Sequence, residues 1–238
     1  MTTPDLAGIG DPVYARVRER IRQDILLGHF ASGVRIKMAA LSARYGVSQM
    51  PIREALQQLQ GEGLVTIAPN RGASVRRVDG NFIRNIYDIR AALEAMMVKR
   101  GVEVVAEAEM FTLYAAESRF EEAVRKHDTE AAIAANRELH ETTYRLAGNG
   151  EAVDVIARHS ELLQSLRRRY GYGANRLTEI VAEHRRLLRA FEQRDAAAAV
   201  RIIEEHCERA KLDLIAQAGL AAEGEDRKEA GARKRVSS

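Results

Sequence analysis

The sequence contains no tryptophan, four prolines and a single cysteine, Cys207, among its 238 residues. One cysteine excludes an internal disulfide and a cysteine-rich zinc site. No apolar run reaches the roughly 18–20 residues that a membrane span needs. Met1 to Asp11 lack the basic and apolar stretches of a secretory signal peptide. These absences together predict a cytoplasmic protein without a membrane segment.

The residues that are present indicate a helical protein with a charge asymmetry. Hydrophobic residues make up 46% of the chain, which is enough to bury a core. Ala, Glu, Arg and Leu are abundant, as is typical of helices. The net charge is +4 over residues 1–80, −2 over residues 81–220 and +1 over residues 221–238. This basic excess at the N-terminal end is a weak indication of a polyanionic partner there.

The apolar spacing of the N-terminal third predicts three helices. The first begins at Pro12 and ends before Gly28. It has an apolar residue at every fourth position, namely Val13, Val17, Ile21 and Ile25. A short helix follows at about residues 38–45, and Gly46 can adopt the positive φ of a tight turn. Ser48 can then cap a third helix that ends at Gly61 and Gly63.

Two strand patterns, residues 64–67 and 73–75, flank a turn at 69–72 and predict a β-hairpin. A short helix, a glycine turn, a capped helix and a hairpin are the parts of a winged helix-turn-helix. In that motif the second helix enters a DNA major groove, where Gln can pair with adenine, Arg with guanine and Met with a thymine methyl. A small α/β module for protein contacts is the alternative. The candidate DNA-contacting residues are Arg35, Lys37, Arg44, Ser48, Gln49, Met50, Arg53, Asn70, Arg71 and Gly72.

This region also resembles the DNA-binding domain of GntR-family bacterial transcription regulators over residues 11–78. The residues that carry the resemblance are Val47–Leu56, Leu59, Glu62–Val65 and Pro69–Ala73. The resemblance implies that Arg53 and the start of its helix read bases and that the wing around Gly72 touches DNA. Gln49 stands where relatives usually have Arg, so a neutral contact replaces a guanine-reading cation. We expect this difference to change the operator sequence and not the binding mode.

After Asp79 the strand patterns end and six helical patterns follow. They cover about residues 82–108, 110–127, 129–147, 151–170, 176–193 and 195–218. The predicted fold is therefore mainly α, with an N-terminal winged helix-turn-helix and a C-terminal all-helical antiparallel bundle. The predicted division is a flexible N-terminus at 1–10, a DNA-binding domain at 11–78, a helical domain at 82–218 and a disordered tail at 219–238.

Three of the six histidines have a spacing that suggests a shared site. Asn136 and His140 lie four residues apart and therefore on one helix face. His184 and His206 are equally distant from the predicted turn at Asp195, so both lie at one level of an antiparallel helix pair. Three imidazoles and an amide oxygen can hold Zn²⁺, Ni²⁺ or Mn²⁺. Hydrogen-bonded packing histidines are the alternative, and we expect that role for His29, His127 and His159.

The helical half resembles the FCD ligand-sensing domain of the FadR subfamily of GntR regulators. The residues that carry this resemblance are Tyr87–Glu94, Asn136–His140, Gly148-Asn149, Glu183-His184 and His206. It implies that Asn136, His140, His184 and His206 ligate a divalent metal, with Asn at a position where Asp is commoner. It also argues against the acyl-CoA-binding branch, which lacks this site.

Members of this type bind small organic acids, and a metal beside an arginine can hold a carboxylate. The candidate effector-binding arginines are Arg90, Arg168 and Arg169, and Cys207 is expected to be a buried thiol. We therefore predict a homodimeric, ligand-responsive regulator that binds a near-palindromic DNA operator. Repression that the ligand relieves is the commoner behaviour of the family, so we expect a repressor. A metal-dependent hydrolase is the rival prediction, but Glu183 and Glu205, adjacent to proposed ligands, are poorly placed as general bases. A pure adaptor would leave the helix-turn-helix chemistry unexplained.

Overall fold

The computed structural model describes residues 12–30, 33–68, 72–76 and 78–219. The predicted flexible N-terminus, residues 1–10, and all of the predicted tail except Gly219 lie outside the described residues. By its internal contacts the chain divides into two compact units, Met1–Val78 and Asp79–Ser238. No helix within the described residues combines the length and the apolar character that crossing a bilayer requires.

Where it is described, the first unit contains three helices and a small sheet. The helices are α1 (Val13–Leu26), α2 (Met38–Tyr45) and α3 (Gln49–Gly61), and the strands are β1 (Arg35–Ile36), β2 (Val65–Ala68) and β3 (Gly72–Val75). The strand order is β1-β3-β2, and both pairings are antiparallel. The sequence does not predict β1, because two residues are too few to display the alternating pattern of a strand.

Gly46 and Ser48, between the helices of this unit, occupy the positions that the sequence predicts for them. Gly46 ends α2 in the left-handed region with φ of 67°. Ser48 occupies the N-cap position of α3, but its side chain makes no capping hydrogen bond. Apolar side chains from all three helices and the sheet form the core, including Val17, Ile21, Leu41, Ile52, Leu56, Leu59, Leu64 and Val75.

A buried ion pair joins α1 to the end of α3. Arg22 Nε and Nη2 donate to the two carboxylate oxygens of Glu62 at 2.9 and 2.6 Å. Both side chains are only 6% exposed. Two parallel hydrogen bonds fix the relative position of the two helices more firmly than a single contact would.

The second unit is all-helical among its described residues. Its helices are α4 (Gly80–Val104), α5 (Glu107–Arg125), α6 (Thr129–Leu146), α7 (Gly150–Tyr170), α8 (Arg176–Glu192) and α9 (Ala196–Gln217). Four of these helices begin at a side chain that accepts a hydrogen bond from the backbone N–H three residues on: Asp79, Asp128, Asn149 and Asp195. The six predicted helices are therefore present, and the mainly α fold class is confirmed.

Helix α4 packs along α9, α5 packs on α6 and on α8, and α8 packs on α9. The large core cluster includes Met97, Val98, Val102, Leu113, Leu139, Tyr144, Leu187, Leu188, Phe191 and Ile203. The turn at Asp195 separates α8 from α9 by three residues. This arrangement directs the inner faces of α6, α8 and α9 toward a common interior.

Candidate metal centre and DNA-binding surface

Three histidines from three different helices meet inside the second unit. His140 lies on α6, His184 on α8 and His206 on α9, and all three are buried. Their ring centroids are 5.2 Å (140–184), 5.1 Å (140–206) and 5.4 Å (184–206) apart. One ring nitrogen from each lies within 4.8 Å of the others, which is a spacing that a single metal ion can bridge.

Each imidazole is held at Nδ1 by an oxygen of a neighbouring side chain. Glu117 Oε2 lies 2.7 Å from Nδ1 of His184, and Glu183 Oε2 lies 2.7 Å from Nδ1 of His206. The hydroxyl of Tyr144 lies 3.0 Å from Nδ1 of His140. Glu183 is ionised and can only accept, so Nδ1 of His206 carries the proton. Nδ1 of His184 carries the proton whenever Glu117 is ionised. Their Nε2 lone pairs are then available to a ligand, as in many metal sites.

Three polar atoms at this place fit a metal ion better than they fit an apolar interior. The Nε2 atoms of His140 and His184 and the Oδ1 atom of Asn136 are buried without a hydrogen-bond partner among the described residues. Leaving a buried acceptor unpaired costs about 1–3 kcal/mol. Imidazole nitrogen and amide oxygen are both ligands for divalent metals, so this donor set fits a metal ion.

The electrostatics favour the neutral imidazoles that metals bind. Burial, reinforced by His206 and His184, lowers the pKa of His140 well below its ordinary value. Burial, reinforced by His206 and Arg176, does the same to the pKa of His184. Because a protonated imidazole nitrogen cannot bind a metal ion, these lowered pKa values keep both rings able to bind a metal at neutral pH.

The pKa values of Glu117 and Glu183, the two carboxyl groups that contact the imidazole rings, shift in opposite directions. Burial and the nearby charge of Glu121 raise the pKa of Glu117 to about 8. Burial opposes ionisation of Glu183 as well, but hydrogen bonds from His206 and Arg176 lower its pKa to about 2. Glu183 is therefore committed to a pair with Arg176, at 2.7 and 2.9 Å, and is not a free general base. Glu205, the other candidate base, is paired with Arg186 at the surface.

A cavity of about 120 Å³ adjoins the histidines. Asn136, His140 and His206 line one part of it, and its wall also contains Tyr87, Arg90, Glu94, Tyr144, Ser160, Arg167, Tyr172 and Cys207. Arg90 forms an ion pair with Glu94 at 2.6 Å and donates to the Ser160 hydroxyl at 2.8 Å. Cys207 is the predicted buried thiol, but it also lines the cavity and donates to Glu94 at 3.3 Å.

The structure corrects the choice among the three consecutive arginines of α7. Arg168 and Arg169, the predicted effector contacts, are both exposed. Arg168 pairs with Glu130 at 2.9 Å, and Arg169 lies 4.9 Å over the ring of Tyr170. Arg167 is the buried member that lines the cavity. It pairs with Asp213, donates to the Ala210 carbonyl at 2.8 Å and lies over the ring of Tyr172.

The remaining histidines stay outside the cluster. His29 is exposed and lies 2.9 Å from the carboxylate of Asp24. His127 is exposed and lies two residues after the end of α5, with a positive φ of 56°. His159 is half-buried, and its Nδ1 has no hydrogen-bond partner among the described residues. Within the described part of the chain, His29 is therefore the only one of these three with the expected side-chain hydrogen bond.

In the first unit, α3 separates its residues into two faces. Ile52, Leu56 and Leu59 are buried, whereas Ser48, Gln49, Met50 and Arg53 at the helix start are exposed. Met50 is 64% exposed, so its side chain is accessible at the helix start. The helix therefore presents to solvent the residues that the helix-turn-helix pattern assigns to base contacts.

The flanking cations lie in different surroundings. Arg35 is exposed on β1, and a Cβ atom added at Gly72 would lie 3.3 Å from its Nε. Arg44 is also exposed but pairs with Asp24 at 2.7 Å and lies 5.4 Å over the ring of Phe30. Lys37 is exposed just before α2. Asn70 and Arg71, at the predicted hairpin tip, lie outside the described residues.

Both units of the chain match known protein families. Residues 13–75 match the family described as "Bacterial regulatory proteins, gntR family", and residues 85–209 match the FCD domain. An uncharacterized HTH-type transcriptional regulator of Bacillus subtilis, YdhC, is 28% identical over 66% of this chain and 70% of its own length.

Two further similarities come from Escherichia coli. The HTH-type transcriptional repressor RspR is 31% identical over 43% of this chain and 45% of its own length, so the alignment spans less than half of that relative. The solved structure of McbR/YncC has 21% sequence identity and a TM-score of 0.64, and covers 88% of this chain and all of that one. That structure shares the fold.

Proposed function

Because the chain belongs to the gntR family of bacterial transcription regulators and carries an FCD domain, we propose that it represses transcription and releases DNA in response to a small organic acid. Regulators of this family bind DNA operators. We propose a near-palindromic operator bound by a homodimer, since a two-fold protein matches a two-fold site. We further propose, on the motifs of its helical half, that it belongs to the FadR subfamily.

The sensing site that we propose is a divalent metal held by Asn136, His140, His184 and His206. The observation that supports this site most strongly is that Asn136, His140 and His184 each have a buried side-chain acceptor atom with no hydrogen-bond partner among the described residues. The hydrogen bonds at Nδ1 orient the rings so that Nε2 faces the common interior. Zn²⁺, Ni²⁺ and Mn²⁺ all accept such ligands, and when bound the metal supplies a Lewis-acidic position for an oxygen of the effector.

The effector that fits this cavity is a small carboxylate. The volume of about 120 Å³ admits only a small molecule. Arg90 and Arg167 line the wall, and each already has a carboxylate partner, in Glu94 and Asp213. These arginines therefore contribute oriented N–H donors to a bound carboxylate, and their positive charges are already balanced by Glu94 and Asp213. Arg168 and Arg169 have no part in this proposal because they face solvent.

DNA recognition is assigned to the exposed start of α3. Arg53, Gln49 and Met50 read base edges in the major groove, and Ser48 lies at the entry to it. Arg35 and Arg44 contact phosphates and set the register, with Arg44 less free because of Asp24. Arg71 and Gly72 of the wing complete the set. Effector binding then changes DNA affinity to the extent that it favours one arrangement of the protein over another.

A thermal-shift screen of small carboxylic acids, with and without Zn²⁺, tests this function. A ligand that binds the folded state raises the melting temperature, by an amount that grows with its concentration relative to Kd. We expect acids that stabilise the protein only in the presence of metal, and the same acids should weaken operator binding in a gel-shift titration. Acids that stabilise equally well without metal, or that leave operator binding unchanged, would contradict the proposal.

A further inference from the structure

The four proposed ligands carry no negative charge. Three of them are imidazoles, and the fourth is the side-chain amide of Asn136, whose Oδ1 is buried and has no hydrogen-bond partner among the described residues. A divalent ion in this set would therefore keep its full double charge among its direct ligands. Aspartate in the place of Asn136 would remove one unit of that charge.

The charged side chains around the cavity are already paired with one another. Arg90 pairs with Glu94 at 2.6 Å, and Arg137 pairs with Glu141 at 2.5 Å. Glu183, behind His206, is matched by Arg176 at 2.7 Å. These pairs leave little net charge to offset a metal ion.

Glu117 is the remaining carboxylate near the ligands, and it reaches the site only through the ring of His184. Even if Glu117 is counted as an anion, the site retains an excess of at least one positive charge. All three histidines are at most 8% exposed, so water screens this charge poorly. A small anion that enters the adjoining cavity would offset it.

We propose that metal and anion bind this site cooperatively, because Asn136 leaves a buried charge that an incoming carboxylate neutralises. This inference rests on the metal site of the proposed function. Coupling between two ligands is reciprocal, so an anion that strengthens metal binding is itself bound more tightly when the metal is present. The effector and the metal would thus act as a joint signal.

The test is a competition titration of Zn²⁺ between the full chain and a chelating dye. Three conditions are compared at constant ionic strength: no addition, acetate, and the neutral isostere acetamide. A reference titration without protein corrects for zinc held by acetate itself. We expect acetate to strengthen zinc binding about tenfold, which corresponds to roughly 1.4 kcal/mol of coupling. Acetamide should leave the affinity unchanged.

Two variants at one position separate charge from shape. Asn136→Asp should bind Zn²⁺ more tightly without acetate and should lose most of the acetate effect. Asn136→Gln keeps a neutral amide, so it should retain the acetate effect even if its longer side chain weakens zinc binding. Circular dichroism establishes that each variant is folded, and the comparison of acetate with acetamide in the natural sequence decides the question if either is not.

The outcomes distinguish this inference from the function on which it rests. If Zn²⁺ binds the natural sequence but acetate and acetamide act alike, the coupling is wrong and the metal site stands. Equal acetate effects in Asn136→Asp and Asn136→Gln would also overturn the coupling. If no Zn²⁺ binds under any condition, both the metal site and the inference fail.

Discussion

Glu117 and His184 lie 67 residues apart in the sequence, yet Oε2 of one is 2.7 Å from Nδ1 of the other inside the helical bundle. The contact joins α5 to α8, and both side chains are almost fully buried. It turns the free nitrogen of His184 toward His140 and His206. A residue outside the ligand set thus helps to orient a ligand.

Replacing this carboxylate should weaken metal binding without removing a ligand. Glu117→Ala is expected to lower zinc affinity by about 10–100-fold, since the ring loses the partner that fixes its tautomer. Glu117→Gln keeps an acceptor oxygen and should lose less. Glu122→Ala, which removes a surface partner of Lys126 on the same helix, is the matched control. Equal affinities of Glu117→Ala and Glu122→Ala in a dye competition would contradict the positioning role.

The metal-free protein should lose stability as the pH falls below about 6.5. In the unfolded chain His140 and His184 take up protons near that ordinary pKa of 6.5, whereas in the folded protein their pKa values lie well below it. Glu117 acts in the opposite sense, because its folded pKa of about 8 exceeds its ordinary value of 4.5. Between pH 6.5 and 4.5 the unfolded state therefore binds about one more proton at these three groups.

His140, His184 and Glu117 together contribute about 1.4 kcal/mol of unfolding free energy per pH unit, measured by urea titration in the presence of a chelator. His159, whose pKa burial also lowers, adds to the slope in the same direction. Glu117→Gln removes the opposing proton and should make the slope steeper in the same pH range. A stability that does not change between pH 6.5 and 5, or a slope unaffected by Glu117→Gln, would show that the buried histidines do not titrate as described.

Arg53→Ala should abolish the preference for the operator. The Arg53 side chain is exposed near the start of α3, where a bidentate contact to guanine contributes about 1–3 kcal/mol of discrimination. The measurement is the ratio of specific to non-specific DNA affinity at fixed salt. Gln60→Ala, exposed at the far end of the same helix, is the control and should keep the ratio. If Arg53→Ala keeps it as well, α3 is not the recognition helix.

Glu62→Ala should destabilise the N-terminal unit by about 1–3 kcal/mol, because the buried guanidinium of Arg22 loses two hydrogen bonds while it keeps its ion pair with Glu19. Replacing both residues, as in Arg22→Met with Glu62→Leu, should restore most of that loss. Chemical denaturation of the three proteins provides the comparison. A single variant as stable as the natural sequence would mean that the pair contributes little to the fold.

Much of the fold could be predicted because it depends on local patterns. The stripe of apolar residues in α1, the glycine turn at Gly46 and the turn at Asp195 each depend on residues within about one helical turn of their own position. The histidine pair on α8 and α9 followed from the distance of each residue to that turn, and the rings are 5.4 Å apart. The family assignment followed from the motifs of the two halves.

The parts that could not be predicted depend on contacts between distant helices. Glu117 has no sequence signal that links it to His184, because periodicity does not identify which helices pack together. Arg167 could have been found, since it continues the spacing of Ile156 and Leu163 at intervals of seven and four residues. The prediction of Arg168 and Arg169 did not use the phase of the apolar face, which separates Arg167 from its two neighbours.

We propose that His140, His184 and His206 hold one metal ion. Elemental analysis of the purified chain and of the double variant His184→Ala with His206→Ala is the most direct measurement of this site. About one equivalent of a divalent transition metal should remain in the natural sequence after loading and dialysis, and none should remain in the double variant. Metal content that survives the double substitution would place the ion elsewhere and rule out a site formed by these histidines.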